Sequence, residues 1–158
     1  MSYNDRNVVM EDMRIIFRNF AGKEGMYNRE GDRNFSVLLD DEVATAMAKD
    51  GWNVKWLKAR EEGEAEQAYL QVSVNFKGRP PSVVMITSRG RTNLTEDDVE
   101  LLDWADIRVA DLIVRPYDWS VNGKSGIKAY LQSIFVTIEE DALQLKYGDI
   151  PMRGGRSD

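Results

Sequence analysis

Cysteine and histidine are both missing from the 158 residues. Disulfide frameworks, Cys/His zinc sites, thiol nucleophiles and the imidazole base of a Ser-His-Asp arrangement are therefore excluded. No apolar run approaches the roughly 20 residues of a membrane helix, and the first residues, MSYNDRNVVMEDM, place acids where a signal peptide needs apolar ones. Positive charge is in deficit: 21 Lys+Arg stand against 27 Asp+Glu, a formal charge of −6. What is present is ordinary for a folded domain, with 42% hydrophobic and 30% charged residues. A chain of this length buries about 70% of the surface its unfolded form exposes, enough for one core. A single domain over residues 1–140 is expected, followed by a polar, flexible tail over 141–158.

Residues 8–20 (VVMEDMRIIFRNF) are β-branched and aromatic without Gly or Pro, which predicts one long or bent strand. Residues 21–33, with three Gly, read as a mobile connection or hairpin tip, and FSVLL at 35–39 as a strand. Asp40 is placed to cap a helix whose apolar stripe is Val43, Ala44, Met47 and Ala48, with Gly51 as its stop. Trp52, Val54 and Trp56 alternate along a strand at 52–58 and share one packing face. Residues 67–76 (QAYLQVSVNF) alternate cleanly, with Ala68, Leu70, Val72, Val74 and Phe76 inward and Gln67, Tyr69, Gln71, Ser73 and Asn75 outward. Lys77–Pro81 reads as a turn into a strand at 82–88, the two strands forming a hairpin. A short acidic helix capped by Asn93 or Thr95 follows. Two long strands at 107–117 and 127–138, joined by DWSVNGKSG, close the domain. Seven or eight strands, two short helices and no α/β alternation make a β-rich fold, all-β or α+β, built as a small barrel or sandwich.

Few motifs carry chemistry. Gly123-Lys124-Ser125 imitates the end of a phosphate loop, but Asp118 occupies the first glycine's place and a strand follows where a helix is needed. The acidic groups Asp40-Asp41-Glu42, Asp97-Asp98 and Glu139-Glu140-Asp141 offer oxygen ligands for a hard cation, yet two begin helices and one a tail. No metal and no cofactor are expected.

Charge is segregated along the chain. Residues 14–33 hold five bases against three acids and 77–91 hold four against none, whereas 61–66 contributes four acids and 96–106 six. A partner responds to potential within a Debye length of about 8–10 Å, so an acidic chain can present a positive groove. Strand parity sharpens this. Arg115, Tyr117 and Trp119 fall on one face of the first long strand, and Lys128, Tyr130 and Gln132 on one face of the second. Arg14, Arg18 and Phe20 share a parity near the N-terminus, and Tyr69 lies on a polar face. Rings interleaved with cations on a β surface suit single-stranded nucleic acid, whose bases stack at about 1–3 kcal/mol each while cations follow the phosphates. Phe17, Leu70, Val72, Val74, Phe76, Ile113 or Val114, and Phe135 are assigned to packing. Neither helix is basic, which disfavours duplex DNA.

The segments Phe17-Arg18-Asn19-Phe20-x-Gly22, Tyr27-Asn28, Gly31-x-Arg33-Asn34-Phe35, Arg115-Pro116-Tyr117-x-Trp119 and Gly126-Ile127-Lys128-Ala129-Tyr130-Leu131 together resemble phage single-stranded DNA-binding proteins of the OB-fold type. The resemblance covers most of residues 10–138. It implies an OB-like β-barrel with extra hairpins, and non-enzymatic, largely sequence-independent binding and protection of ssDNA in phage replication or recombination, in the host cytoplasm. It places Arg18, Phe20, Arg33 and Phe35 around the first hairpin, and Tyr117, Trp119, Lys124, Lys128 and Tyr130 around the last. ssDNA is the implied partner, with replication or recombination proteins and self-association also in scope. Gly148-Asp149-Ile150-Pro151-Met152 is similar to the acidic tips with which bacterial ssDNA-binding proteins recruit partners, but Met stands for the terminal Phe and RGGRSD continues beyond. The competing readings are a structural or interaction β-domain of a phage particle, an acidic DNA mimic and a metal nuclease.

Overall fold

A computed structural model describes residues 6–59 and 61–140. The expected tail and its Gly148–Met152 segment lie outside the described residues.

The apolar run at 8–20 forms a bent strand, split at Arg14 into β1 (Val8–Met13) and β2 (Ile15–Asn19). The chain then makes β3 (Arg33–Leu39), α1 (Asp41–Asp50), β4 (Val54–Leu57), β5 (Gln67–Val74), β6 (Ser82–Thr87) and β7 (Gly90–Leu94). A 3-10 turn, Val99–Asp103, leads to β8 (Ile107–Val121) and β9 (Lys124–Ile138). Hydrogen bonding runs in the order β1-β8-β9-β5-β3-β2. Because β1 and β2 are halves of one strand, this path closes on itself as a five-walled barrel. The walls are antiparallel except where β5 meets β9, pairing Val72 with Ala129 and Ser73 with Tyr130 in parallel. This is the OB-type barrel, in which the second and third walls and two connecting loops form the ligand face.

The period of two in β5 works as expected: Ala68, Leu70, Val72 and Val74 are buried and their neighbours are not. They join Phe20, Phe35, Val37, Leu112, Val114, Leu131 and Ile134 in one core cluster. Asp40 caps α1 by accepting from Val43 N at 2.8 Å, and Gly51 ends it. Only Ala44 and Met47 of the expected stripe are buried; Val43 faces out, because ten residues lying on a barrel rim cover a narrow strip.

Several expectations are corrected. β5 and β6 do not form a hairpin. Both run parallel to β9, β5 at Ala129–Tyr130 and β6 at Ser133–Thr137, so the connection with Pro80 and Pro81 steps along one edge instead of reversing. The hairpin partner of β6 is β7, whose polar sequence hid its strand character. The acidic helix is a five-residue 3-10 turn, with Val99 and Leu102 buried and no side-chain cap. β8 and β9 are longer than the apolar pattern suggests, and their link is the two-residue turn Asn122-Gly123, both at positive φ. Asn-Gly is the strongest short-range signal for such a turn. Between Leu131 and Ser133 the β8–β9 register shifts, so Leu131, Ile134 and Val136 are buried, while Phe135 is only half-buried, with Arg91 over its ring at 5.7 Å. Trp52 is buried as expected, but Trp56, on the short outer strand β4, is exposed.

Candidate nucleic-acid interface

The face of the barrel opposite the core is set by register. Arg115 of β8 stands opposite Tyr130 of β9, which pairs with Ser73 of β5, then Asn34 of β3 and Asn19 of β2. One polar and aromatic row thus crosses five strands. On β8 and β9, Tyr117 lies opposite Lys128 and Trp119 opposite Gly126, so the expected parity of Arg115, Tyr117, Trp119, Lys128 and Tyr130 holds.

These side chains interact. Arg115 and Lys128 lie 5.5 and 5.2 Å from the Tyr130 ring, and Tyr117 meets that ring edge-on at 5.7 Å. Desolvated cation–π contacts contribute about 2 kcal/mol and exposed ones less, so the main effect is to hold two cations against a ring. Trp119 lies across Gly126, where an added Cβ would come within 2.9 Å of the indole and 2.8 Å of Asn53 Oδ1. Only glycine lets the indole settle there.

Facing this hairpin is the 20–32 connection between β2 and β3. It is organised by Asn28, whose Nδ2 donates to the carbonyls of Lys23, Arg29 and Asp32, while Gly31 N donates to Gly22 O at 2.7 Å. Tyr27 projects from its tip, 95% exposed. Between connection and hairpin opens a cleft of about 690 Å³. Its walls carry the rings of Tyr27, Trp119 and Tyr130 and the cations Arg29, Arg33, Lys77 and Lys128, with Asp32 as the acid. Its floor carries Asn34, Gln71 and Ser73 from β3 and β5.

The first hairpin corrects the expectation. Phe20 and Phe35 are 0% exposed and stacked on each other at 5.1 Å, so both are core residues with no face for a base. Phe35 points inward because its cross-strand partner is Val72, a core position. Arg18 donates to Leu102 O and Ala105 O at 2.8 and 2.6 Å, satisfying carbonyls at the end of the 3-10 turn. Arg33 donates to Phe20 O at 2.6 Å, lies 3.6 Å from Glu96 and over the Phe76 ring, yet still reaches the cleft wall. Tyr69 sits on the outer face of β5 beyond the cleft, and Lys124 at the tip of the β8–β9 hairpin, neither lining it. Phe17, assigned to packing, is 56% exposed.

Tyr27, Arg29, Asn53, Gln71, Ser73 and Lys77 were not among the candidates. Tyr27 and Arg29 sit in a Gly-rich segment without periodicity, where only tertiary folding shows which side chains face a strand surface. Gln71 and Ser73 were legible as outward positions, though not as a floor.

The 96–106 acidic window is held against the first hairpin. Asp103 accepts from Phe20 N and Ala21 N at 2.6 and 3.0 Å, tying the 96–106 segment to β2. Among the described residues no ion pair involves Arg115, Lys77, Lys124 or Lys128. At the outer end of β8, Arg6 makes a bidentate pair with Asp118 at 2.6 and 2.8 Å, and its hydrogen bonds hold that carboxyl below the usual aspartate value.

A family model described as "Putative phage ssDNA-binding domain" matches residues 1–156. The chain belongs to this family. Among solved structures, the single-stranded DNA-binding protein from bacteriophage Enc34, in complex with ssDNA, is similar with a TM-score of 0.55 and 10% identity, over 88% of this chain and 90% of that one. A second structure of the same phage protein gives 0.54 and 12%, over 99% and 89%. At such identity the likeness establishes the fold. Comparison with curated proteins gives no match. Among the described residues no helix is long and apolar enough to cross a membrane.

Proposed function

We propose that this phage ssDNA-binding domain holds a single strand in the cleft between the 20–32 connection and the β8–β9 hairpin, stacking bases on Tyr27, Trp119 and Tyr130 and placing phosphates on Arg29, Lys77, Lys128 and Arg115. The observation that carries this is the convergence of three rings and the cations Arg29, Arg33, Lys77 and Lys128 on one cleft at the ligand face of an OB barrel, with Arg115 beside it over the Tyr130 ring. Stacking tolerates any base, so binding is largely sequence-independent. The role is coating and protecting ssDNA during phage replication or recombination in the host cytoplasm, with no catalysis. Segregation of the acids supports it: phosphates meet Lys77 and Lys128 without displacing a protein carboxylate.

Titration with oligo-dT, followed by tryptophan fluorescence, tests the reading. Trp119 lies in the cleft, Trp52 is buried, and Trp56 and Trp104 are exposed elsewhere. Quenching is expected in the native protein and is expected to be largely lost in Trp119→Phe, with affinity falling as salt rises. Absence of quenching and of a gel shift at low salt would sink the proposal, as would equal affinity for duplex DNA.

A further inference from the structure

Phe17 is the most unusual exposed ring on the barrel. It is 56% exposed on a strand, at φ 51, where the β2–β3 register breaks between Ile16 and Asn19. A left-handed conformation is strained for a non-glycine residue, and bulges of this kind re-aim a side chain. Burial gains little at half exposure, so the core does not explain why the ring is aimed outward. Its contact is Tyr69, met edge to face at 5.6 Å and 77°. That geometry leaves the faces of the edge-on ring uncovered by its partner.

The pair sits in a positive setting. Tyr69 lies between Leu38 of β3 and Lys55 of β4. Leu38 also lines a hollow of about 250 Å³ together with Arg14, Ile15, Ile16, Ile107 and Arg108. Among the described residues, Arg14, Lys55 and Arg108 take part in no ion pair. The patch is continuous with the cleft: Tyr69, Gln71 and Ser73 alternate along one face of β5, and Gln71 and Ser73 form the cleft floor. From Gln71, the nearer end of the floor, to Tyr69 is two residues, about 7 Å at ~3.3 Å per residue, and from Ser73 about 13 Å. A strand confined to the cleft does not reach it, but a longer one crossing β5 does.

We infer that Phe17 and Tyr69, flanked by Arg14 and Lys55, form a second stacking station for the same ssDNA strand, reached as it leaves the cleft. The inference rests on the cleft reading, deepens it and fixes the direction in which the strand crosses the barrel. OB folds engage about 4–16 nucleotides, so oligonucleotide length separates the two stations.

The test compares (dT)4 with (dT)16 on the native protein, Phe17→Ala, Tyr69→Ala and Trp119→Ala, with circular dichroism to confirm folding. Phe17→Ala and Tyr69→Ala are expected to weaken (dT)16 by about five-fold or more, the lower end of losing one stacked base, and to leave (dT)4 unchanged. Trp119→Ala is expected to weaken both. Photocrosslinking of a 5-iodouracil-substituted 16-mer to the native protein, mapped by mass spectrometry, is expected to label Phe17 or Tyr69. Unchanged (dT)16 affinity in Phe17→Ala and Tyr69→Ala, with no crosslink at either position, overturns the second station while leaving the cleft intact. Unchanged affinity in Trp119→Ala removes the cleft reading itself. A native dimer that Phe17→Ala dissolves without altering DNA affinity makes the patch a self-association surface and also overturns the inference.

Discussion

At the strand ends of the β2–β3 hairpin the barrel absorbs the expected site residues: Phe20 and Phe35 stack in the core, Arg18 is spent on two carbonyls, and Arg33 is divided between a carbonyl, Glu96 and the cleft, leaving Tyr27 and Arg29 of the connection to face the cleft. In the β8–β9 hairpin the same residue types remain outside, with Tyr117 55% exposed and Arg115 and Lys128 held on the Tyr130 ring. The expected site residues of the two hairpins are comparable in type and opposite in outcome. β2 and β3 lie wholly within the barrel wall, and the 3-10 turn is stitched onto β2 through Asp103. β8 and β9 outgrow the wall. Only β9's Ala129 and Tyr130 pair with β5; beyond them Ile127 still turns into the core, while Lys128, Tyr117 and Trp119 hold the opposite face.

Breaking the first hairpin has the largest consequence. Phe35→Ala or Phe20→Ala should cost about 3–5 kcal/mol of stability, read by urea unfolding, and should reduce DNA binding only in proportion to the unfolded fraction. Against this, Trp119→Ala and Tyr130→Ala should leave the unfolding midpoint near native while each weakens oligo-dT binding by about 1–3 kcal/mol. A loss of stability as large as that for Phe35→Ala would erase the distinction.

Gly126→Ala should weaken binding less than Trp119→Ala, because it shifts the indole without removing it. Native affinity in Gly126→Ala would show that the seat does not matter. Lys128→Gln against Arg18→Gln sharpens the contrast of cations. The first should lower the slope of log K against log[salt] by about 0.7, as expected for one phosphate contact on a single strand. The second should leave the slope unchanged and lower stability by about 1–3 kcal/mol, because two carbonyls lose their charged donor.

The smallest effect belongs to Arg6–Asp118, a pair on the surface of the last hairpin. Asp118 titrates below its usual 3.8, so its stabilisation is present above pH 3.8 and is lost as pH falls through the lowered value. Asp118→Asn should leave the neutral-pH midpoint almost unchanged, because exposed pairs contribute little, and should flatten the acid limb of the stability curve slightly.

Much of this protein was written in local pattern. Alternation placed Leu70, Val72 and Val74 inward and Tyr117, Trp119, Lys128 and Tyr130 outward, and Asp40 and Gly51 bounded the helix. Parity failed where a bulge intervened, exposing Phe17 and turning Phe135 outward, because one unpaired residue reverses every side chain beyond it. It also could not identify Phe20 and Phe35 as core, since period two says which residues share a face and not which face is dry. Composition and spacing determined a β-rich binding protein without thiol or imidazole chemistry. The tertiary structure alone decided which cations keep their charge for a partner. Tying the acids of 96–106 to the first hairpin is a contact between segments some 80 residues apart in sequence, and local pattern carries no record of it.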